Sequence, residues 1–577
     1  MENGLWELLG SKGLLKKHEF IRVLVQCLYS LGFKKSASCL EHESNILYKS
    51  VDFGLLEKQV LSGNWDSCVA VLDRIFDSSS DDTRNTALYL VLKQCLVEYL
   101  KQGDVSLALN VLRKQAPLLG MGKDKIHRLA CDIVYSKEME SGEADSFLVQ
   151  DLRKNLLVEL EKLIPLPIVI GERRLEHLVE SAVLHQIDTC LYHNSWDAVS
   201  LYKDHCCGRD QIPSETVQIL MAHKNEVWFV QFSNSGKYLA TASSDYTAMI
   251  WKPFGDNRKG QYVAIHSDLS FHLTSSWTKI ITSGLVTPDQ YNLVFLLQVL
   301  DDNKVELKHT LESHQNPVSF VSWSPDDTKL LTCGNAEVLK LWDVETGVLR
   351  HTFGNNNTGF TVSSCAWFPD SARLVCGSSD PERGIVMWDT DGNEIKAWRG
   401  TRIPKVVDLA VTPDGESMIT VFSDKEIRIL HLETKVERVI SEEQPITSLS
   451  VSGDGKFFIV NLSSQEIHLW DLAGDWKQPL KFSGHRQSKY VIRSCFGGLN
   501  SSFIASGSED SQVYLWNLKN AKPLEVLSGH SMTVNCVSWN PRNPRMLASA
   551  SDDQTIRIWG PGKPNNPENW LDNQKMQ

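Results

Sequence analysis

No apolar run in this chain reaches the roughly 18 residues that a membrane-spanning helix needs. The stretch Ile164 to Ile170 is apolar but short, and it carries Pro165 and Pro167. The opening residues, MENGLWELLGSKGLLKKHEF, lack the basic, apolar and small-residue succession of a secretory signal. No membrane association is expected. No block of like charge is long enough to form a tail. A net charge of −12 without a basic stripe argues against nucleic acid as a direct partner. Among 13 cysteines there is no CxxC pair. Cys27, Cys333 and Cys376 lie inside apolar patterns, where free cysteine packs as a small hydrophobe. His205-Cys206-Cys207 is the one cluster with ligand chemistry, but it has no second ligand pair in sequence, so neither metal nor cofactor is expected. Unpaired cysteines of this kind suit a reducing compartment, the cytoplasm or also the nucleus.

Catalytic signatures are missing too. The Gly-Lys pairs at 122, 236, 455 and 562 do not sit in a GxxxxGK[ST] phosphate loop. There is no GxSxG nucleophile elbow, no HExxH pair and no cysteine–histidine array of the RING kind. No catalytic residue is assigned, and the chain is expected not to be an enzyme.

What the chain does have is an internal repeat, clearest from Leu527 to Trp559. Ser528-Gly529-His530 is followed by an alternating run through Val534, Cys536, Val537 and Trp539. Asn540-Pro541 turns the chain, Leu547 to Ser551 reads as a second strand, and Thr555 to Trp559 as a third. Period-2 alternation between turn residues is a strand signature. His530, Ser549, Asp553 and Trp559 are spaced as in the hydrogen-bonded tetrad of a WD40 repeat, which this stretch resembles. A buried Asp must be paired. Here it would accept from the imidazole and from loop amides, while the indole donates to the hydroxyl. Ser, His and Asp also make hydrolase triads, but this Ser and Asp are four apart on one hairpin and the set recurs along the chain. The structural reading is therefore preferred.

Seven repeat ends follow Ser214, at the period of a four-stranded propeller blade. The first carries His223, Thr241, Asp245 and Trp251. The second has His314, Thr332 and Trp342, with Ala336 in the Asp place. The third keeps Asp380 and Trp388, and the fourth keeps Thr420 and Asp424 with Leu430 for the Trp. The fifth keeps only Trp470-Asp471. The sixth has His485, Ser506, Asp510 and Trp516, and the seventh is the stretch above. Complete sets thus fall in repeats one, six and seven, which are neighbours in a closed ring. Thr216 to Leu220 has no blade of its own and is expected to supply the outer strand of the last blade, which removes a free edge. After Trp251-Lys252 the fitting outer strand lies between Val299 and Leu311, so residues 253–298 read as an insertion between the first and second blades, poorly ordered and dispensable for folding. The apolar run Leu293 to Leu297 inside it has no evident turn partner.

The first 210 residues read as helices. Phe20, Leu24, Leu28 and Leu31 share a helical face; Gly32 ends the helix and Phe33 follows. A second helix carries Ala37 and Leu40 and ends near Glu43. The pair resembles a LisH motif, which implies oligomerisation, because so short a segment cannot bury a core alone. Apolar stripes then lead through Gly63-Asn64-Trp65-Asp66 and a long helix from Ala87 to Leu100; this region resembles a CTLH domain, and residues 109–210 a looser CRA-like extension. Asn and Asp ahead of each stripe read as helix N-caps, including Asn194 ahead of an expected helix from Ala198 to Tyr202.

The expected organisation is α + β multidomain: an N-terminal segment 1–17, LisH 18–50, CTLH 51–108, a CRA-like extension 109–210, a seven-bladed WD40 propeller 214–560 with the inserted loop 253–298, and a tail 561–577. The ordered set resembles the WD-repeat subunit of the GID/CTLH ubiquitin ligase assembly. That resemblance implies a non-catalytic scaffold that joins other LisH/CTLH ligase subunits as a homo- or hetero-oligomer and presents substrates or signalling proteins on its propeller. A Topless- or Groucho-like corepressor shares some of these modules, but Asp210 to Pro213 leaves no room for that family's long Pro-rich linker. A cullin-4 adaptor receptor would want Trp-Asp-x-Arg at a repeat end; only Trp516-Asn517-Leu518-Lys519 comes near.

Overall fold

The computed structural model describes residues 8–76, 81–102, 104–115, 146–164, 170, 173–197, 199–253, 263–265, 281–283, 295–298, 304–334, 339–353, 362–378, 384–398 and 404–562. It divides into two units, residues 1–185 and 186–577.

The first unit is helical. Lys17–Ser30 and Lys34–Ser44 form a hairpin. Gly32 takes φ +87°, and the amides of Gly32 and Phe33 donate back to Tyr29 O and Leu28 O. A left-handed residue with these back-bonds closes the last turn. Tyr29 donates to Glu41, whose other oxygen accepts the Tyr48 amide, both at 2.8 Å. Helices Val51–Ser62, Trp65–Ile75, Asp81–Lys101, Val105–Gln115 and Ser146–Glu161 follow. Asn64 caps the second of these by accepting from Ser67 N, as its position ahead of Trp65 predicts. Phe53, Leu56, Leu72, Leu92 and Leu160 build the core. One buried ion pair crosses it: Arg153 binds Glu98 at 2.7 Å and donates to Leu61 O at 2.7 Å.

The second unit contains seven four-stranded antiparallel sheets. Blade 1 is Val227–Phe232, Leu239–Ser243, Thr247–Pro253 and Val305–Glu312. Blades 2 to 6 each use four consecutive strands, with inner strands Val318–Trp323, Val362–Trp367, Val406–Val411, Ile446–Val451 and Ser494–Gly497. Blade 7 is Val534–Trp539, Leu547–Ser551 and Ile556–Pro561, and its outer strand is Pro213–Leu220. Thr216 lies opposite Trp559, and Leu220 opposite Ile556. Each inner strand touches the next, and that of blade 7 returns to that of blade 1. At this junction Ser538 Oγ accepts Phe232 N at 3.0 Å and Asn535 donates to Val227 O at 3.1 Å. The ring is closed by a strand that precedes it in sequence.

Several expectations need correction. The insertion lies inside blade 1, between its third strand and the outer strand Val305–Glu312, and not between blades, because Pro253 and Val305 are partners in register. Its apolar run also has partners: Phe295–Gln298 pairs with Val263–Ile265 and Ile281–Ser283 in a separate three-stranded sheet. The remainder of that stretch, with Ala336, Asp380 and the tail after residue 562, lies outside the described residues. The helix expected from Ala198 to Tyr202 is not formed; residues 199–202 are coil and turn. Asn194 is not available as its cap. Its side chain donates to Gln211 O and Pro544 O and accepts Leu499 N, so it anchors the 186–212 segment on the propeller instead.

Candidate functional site: ring seam, ring centre and exposed helix pair

Blades 1 and 7 assemble the expected tetrads. His223 Nδ1 donates to Asp245 at 2.9 Å, Thr241 donates to His223 Nε2 at 2.8 Å, and the Trp251 indole donates to Thr241 Oγ1 at 3.1 Å. The ionised carboxylate can only accept, which puts the imidazole proton on Nδ1. His530, Asp553, Ser549 and Trp559 repeat the chain with distances of 2.9, 2.8 and 2.8 Å. The carboxylates also accept Lys224 N and Ser531 N. Burial would raise both carboxyl pKa values, but these hydrogen bonds outweigh it and hold Asp245 and Asp553 well below the usual range. Each tetrad ties a loop to two strands of its own blade.

Blade 6 does not close its set, although all four residues are present. Asp510 accepts from Tyr514 OH at 2.8 Å, and the Trp516 indole donates to Ser483 O. Ser506 donates to Gly507 O. His485 is 1% exposed and lies edge-on to Trp516, and neither of its ring nitrogens makes a hydrogen bond of good geometry. Burial lowers its pKa against weaker pulls from Gln487 and Asp510. The loop is the reason. Residues 486–493 separate His485 from its inner strand, whereas only 531–533 separate His530 from its own. The longer loop delivers its amides to Glu509, which accepts from Ser488, Lys489 and Tyr490 and is held at about 2 by those bonds despite burial.

Other blades improvise. In blade 2, His314 and Trp342 both meet Thr332 Oγ1 at 2.7 Å. In blade 5, Glu442 replaces the hydroxyl, accepting the Trp470 indole at 2.8 Å and His468 Nδ1 at 2.9 Å.

The ring centre holds a network that sequence reasoning missed. Arg493, entering blade 6, binds Asp408 of blade 4 at 2.7 Å and lies 5.2 and 5.0 Å from the rings of Phe229 and Phe320, in blades 1 and 2. Asp408 also accepts from Ser364 of blade 3 at 2.6 Å and from Leu449 N of blade 5 at 3.0 Å. Arg493 N donates to Asn535 O of blade 7. All seven blades therefore supply or contact Arg493 or Asp408, whose side chains pair across the ring. The available signal was Asp408 itself, a carboxylate in the otherwise apolar inner strand Val406–Val411.

In the helical unit, Val25 and Ala37 are buried within the hairpin. Phe20, Leu31 and Phe33 are 38, 57 and 58% exposed. Leu24, Leu28 and Leu40 are half-buried. One chain thus leaves much of the expected oligomerisation face uncovered.

Comparison with known proteins agrees with both halves. Residues 6–50 match the model of the WDR26 Lis-homology domain, and residues 214–252, 305–343, 347–389, 476–517 and 521–560 match the WD domain, G-beta repeat. The chain is 84% identical over 569 residues to the WD repeat-containing protein WDS homolog of Arabidopsis thaliana, covering 99% of this chain and 100% of that one. It is 41% identical over 557 residues to the WD repeat-containing protein 26 homolog of the same plant, covering 96% and 86%. The chain belongs to the WD repeat-containing protein 26 family. It is also 30% identical over 550 residues to GID complex subunit 7 of Schizosaccharomyces pombe, covering 94% and 96%. The WD repeat model skips blade 4 and most of blade 5, where Leu430 stands for the Trp and only Trp470-Asp471 is kept, respectively.

Proposed function

We propose that this family member is a non-catalytic scaffold of a GID/CTLH-type ubiquitin ligase. Its LisH hairpin joins the chain to itself or to other LisH/CTLH subunits, and its propeller recruits partners or substrates for ligase chemistry supplied by other subunits. The observation that carries this reading is the apolar face of Phe20, Leu31 and Phe33, left open on a helix pair that matches a Lis-homology model. The relation to GID complex subunit 7 over nearly both full lengths supports the choice of assembly. A propeller whose blades are joined across the ring by Arg493 and Asp408 suits binding on its faces and rim, where loops vary without cost to the ring.

The test is affinity purification from cells with quantitative mass spectrometry, comparing the full chain with a Phe20→Glu/Leu31→Glu variant. Recovery of RING-bearing ligase subunits with the full chain and their loss with the variant supports the proposal. Recovery of histone deacetylases and transcription factors in their place would establish the corepressor reading and end this one. Fractionation that placed the tagged chain outside cytoplasm and nucleus would contradict it as well.

A further inference from the structure

We propose that Cys190, His193, His205 and Cys207 form a structural zinc site on the 186–212 segment. In sequence, His205-Cys206-Cys207 lacks a second ligand pair. The fold supplies one. Cys190 follows the helix Arg174–Thr189, and its amide donates to Gln186 O and Ile187 O. His205 returns to the same place because its amide donates to Gln186 Oε1 at 2.9 Å. Ligand atoms of Cys190, His205 and Cys207 lie within 4.8 Å of one another. His193 completes the set: its Nδ1 is 3.0 Å from His205 Nε2 and 3.7 Å from Cys207 Sγ, and Cys207 Sγ is 3.2 Å from His205 Nε2.

The three separations among His193, His205 and Cys207 come within about 0.3 Å of tetrahedral edges. Bonds of about 2.0–2.1 Å to nitrogen and about 2.3 Å to sulfur give edges of roughly 3.3–3.8 Å. Two thiolates and two neutral imidazoles select zinc among common divalent ions, and four protein ligands make the site structural. Binding releases two thiol protons to solvent and leaves the zinc and its ligands neutral. The neighbouring bonds already hold both arms in place. Within the first pair Tyr192 donates to Glu525 at 2.8 Å, and just after it Asn194 is fastened to Pro544 O and Leu499 N. Zinc would lock this segment onto blades 6 and 7. Cys206 is exposed and takes no part.

The experiment measures metal in the full chain, purified under reducing conditions without chelator. About one zinc per chain is expected, as in other four-ligand sites. Cys190→Ser/Cys207→Ser should lower zinc content at least about tenfold, and Cys206→Ser should leave it unchanged. Cobalt(II) added to the zinc-stripped wild-type chain should give thiolate charge-transfer absorption and tetrahedral d–d bands; this readout does not depend on the double variant folding. A reduced wild-type chain with neither zinc nor those cobalt bands overturns the proposal. So does a folded double variant that keeps its zinc.

Discussion

Blades 6 and 7 carry the same four side-chain types at matching places in their repeats, and only blade 7 brings them together. In blade 7 a short loop drops His530 between Asp553 and Ser549, so the blade is held by its own residues. In blade 6 the loop is longer, Tyr514 takes Asp510, and His485 is left buried against Trp516. Blade 6 relies on other contacts instead: its own Glu509 binds the loop amides, and Arg493 reaches Asp408 across the ring. Identical motif residues therefore do not mean identical anchors. The tetrad is decided by the loop that presents its histidine, and where that loop lengthens the ring relies on long-range pairing.

The contrast can be broken at several points. The largest effect is expected at the long-range anchor. Asp408→Ala strands the Arg493 guanidinium between the Phe229 and Phe320 rings without its carboxylate, which costs about 3–5 kcal/mol; chemical denaturation of the propeller measures it, and a loss under 1 kcal/mol would show that the pair is not an anchor. Next comes the seam. Asp553→Ala leaves His530 and the Ser531 amide without their acceptor, at a cost of about 3 kcal/mol, whereas Asp510→Ala frees the Tyr514 hydroxyl and the Gln512 amide but no histidine, and costs about 1 kcal/mol.

The histidines should differ even in sign. His530→Phe removes two hydrogen bonds and destabilises by about 2 kcal/mol. His485→Phe replaces an unbonded buried imidazole with an apolar ring and is neutral or stabilising by about 1 kcal/mol. Equal losses at both positions would contradict the difference drawn between the blades.

The smallest effect is in the pH dependence. His485 has a lowered pKa in the fold, so as pH falls below its ordinary 6.5 the unfolded chain takes up the proton and stability drops. His468 acts in the opposite sense. Burial would lower its pKa, but Glu442 and Glu466 raise it, so its contribution is present at low pH and lost as pH rises through the raised value. The difference between wild-type and His485→Phe profiles isolates His485 and should grow as pH falls from 6.5 toward 5. Below the ordinary carboxylate values both proteins should weaken together, as the depressed Asp245, Asp553 and Glu509 are protonated.

Local rules carried far in this chain. Alternation located the blades, Gly32 and Asn64 marked helix ends, and the orphan strand at Thr216–Leu220 announced the closure, because each depends on residues close in sequence or on an edge that must be paired. What stayed hidden depends on contacts between distant residues. Asp408 and Arg493 carry no motif, and Asn194 looked like a helix cap until Pro544 and Leu499 reached it through space. The sixth tetrad was legible as letters but not as geometry; the distance from His485 to its inner strand held the warning. Glu442, which replaces a hydroxyl in blade 5, shows the same limit from the other side.

Hydrogen exchange read by mass spectrometry tests the ring closure most directly. The account predicts that amides of Pro213–Leu220 are protected as strongly as those of Ile556–Pro561, and that both lose protection together in Asp553→Ala. Free exchange across 213–220 in the wild-type chain, with the rest of blade 7 still protected, would contradict it.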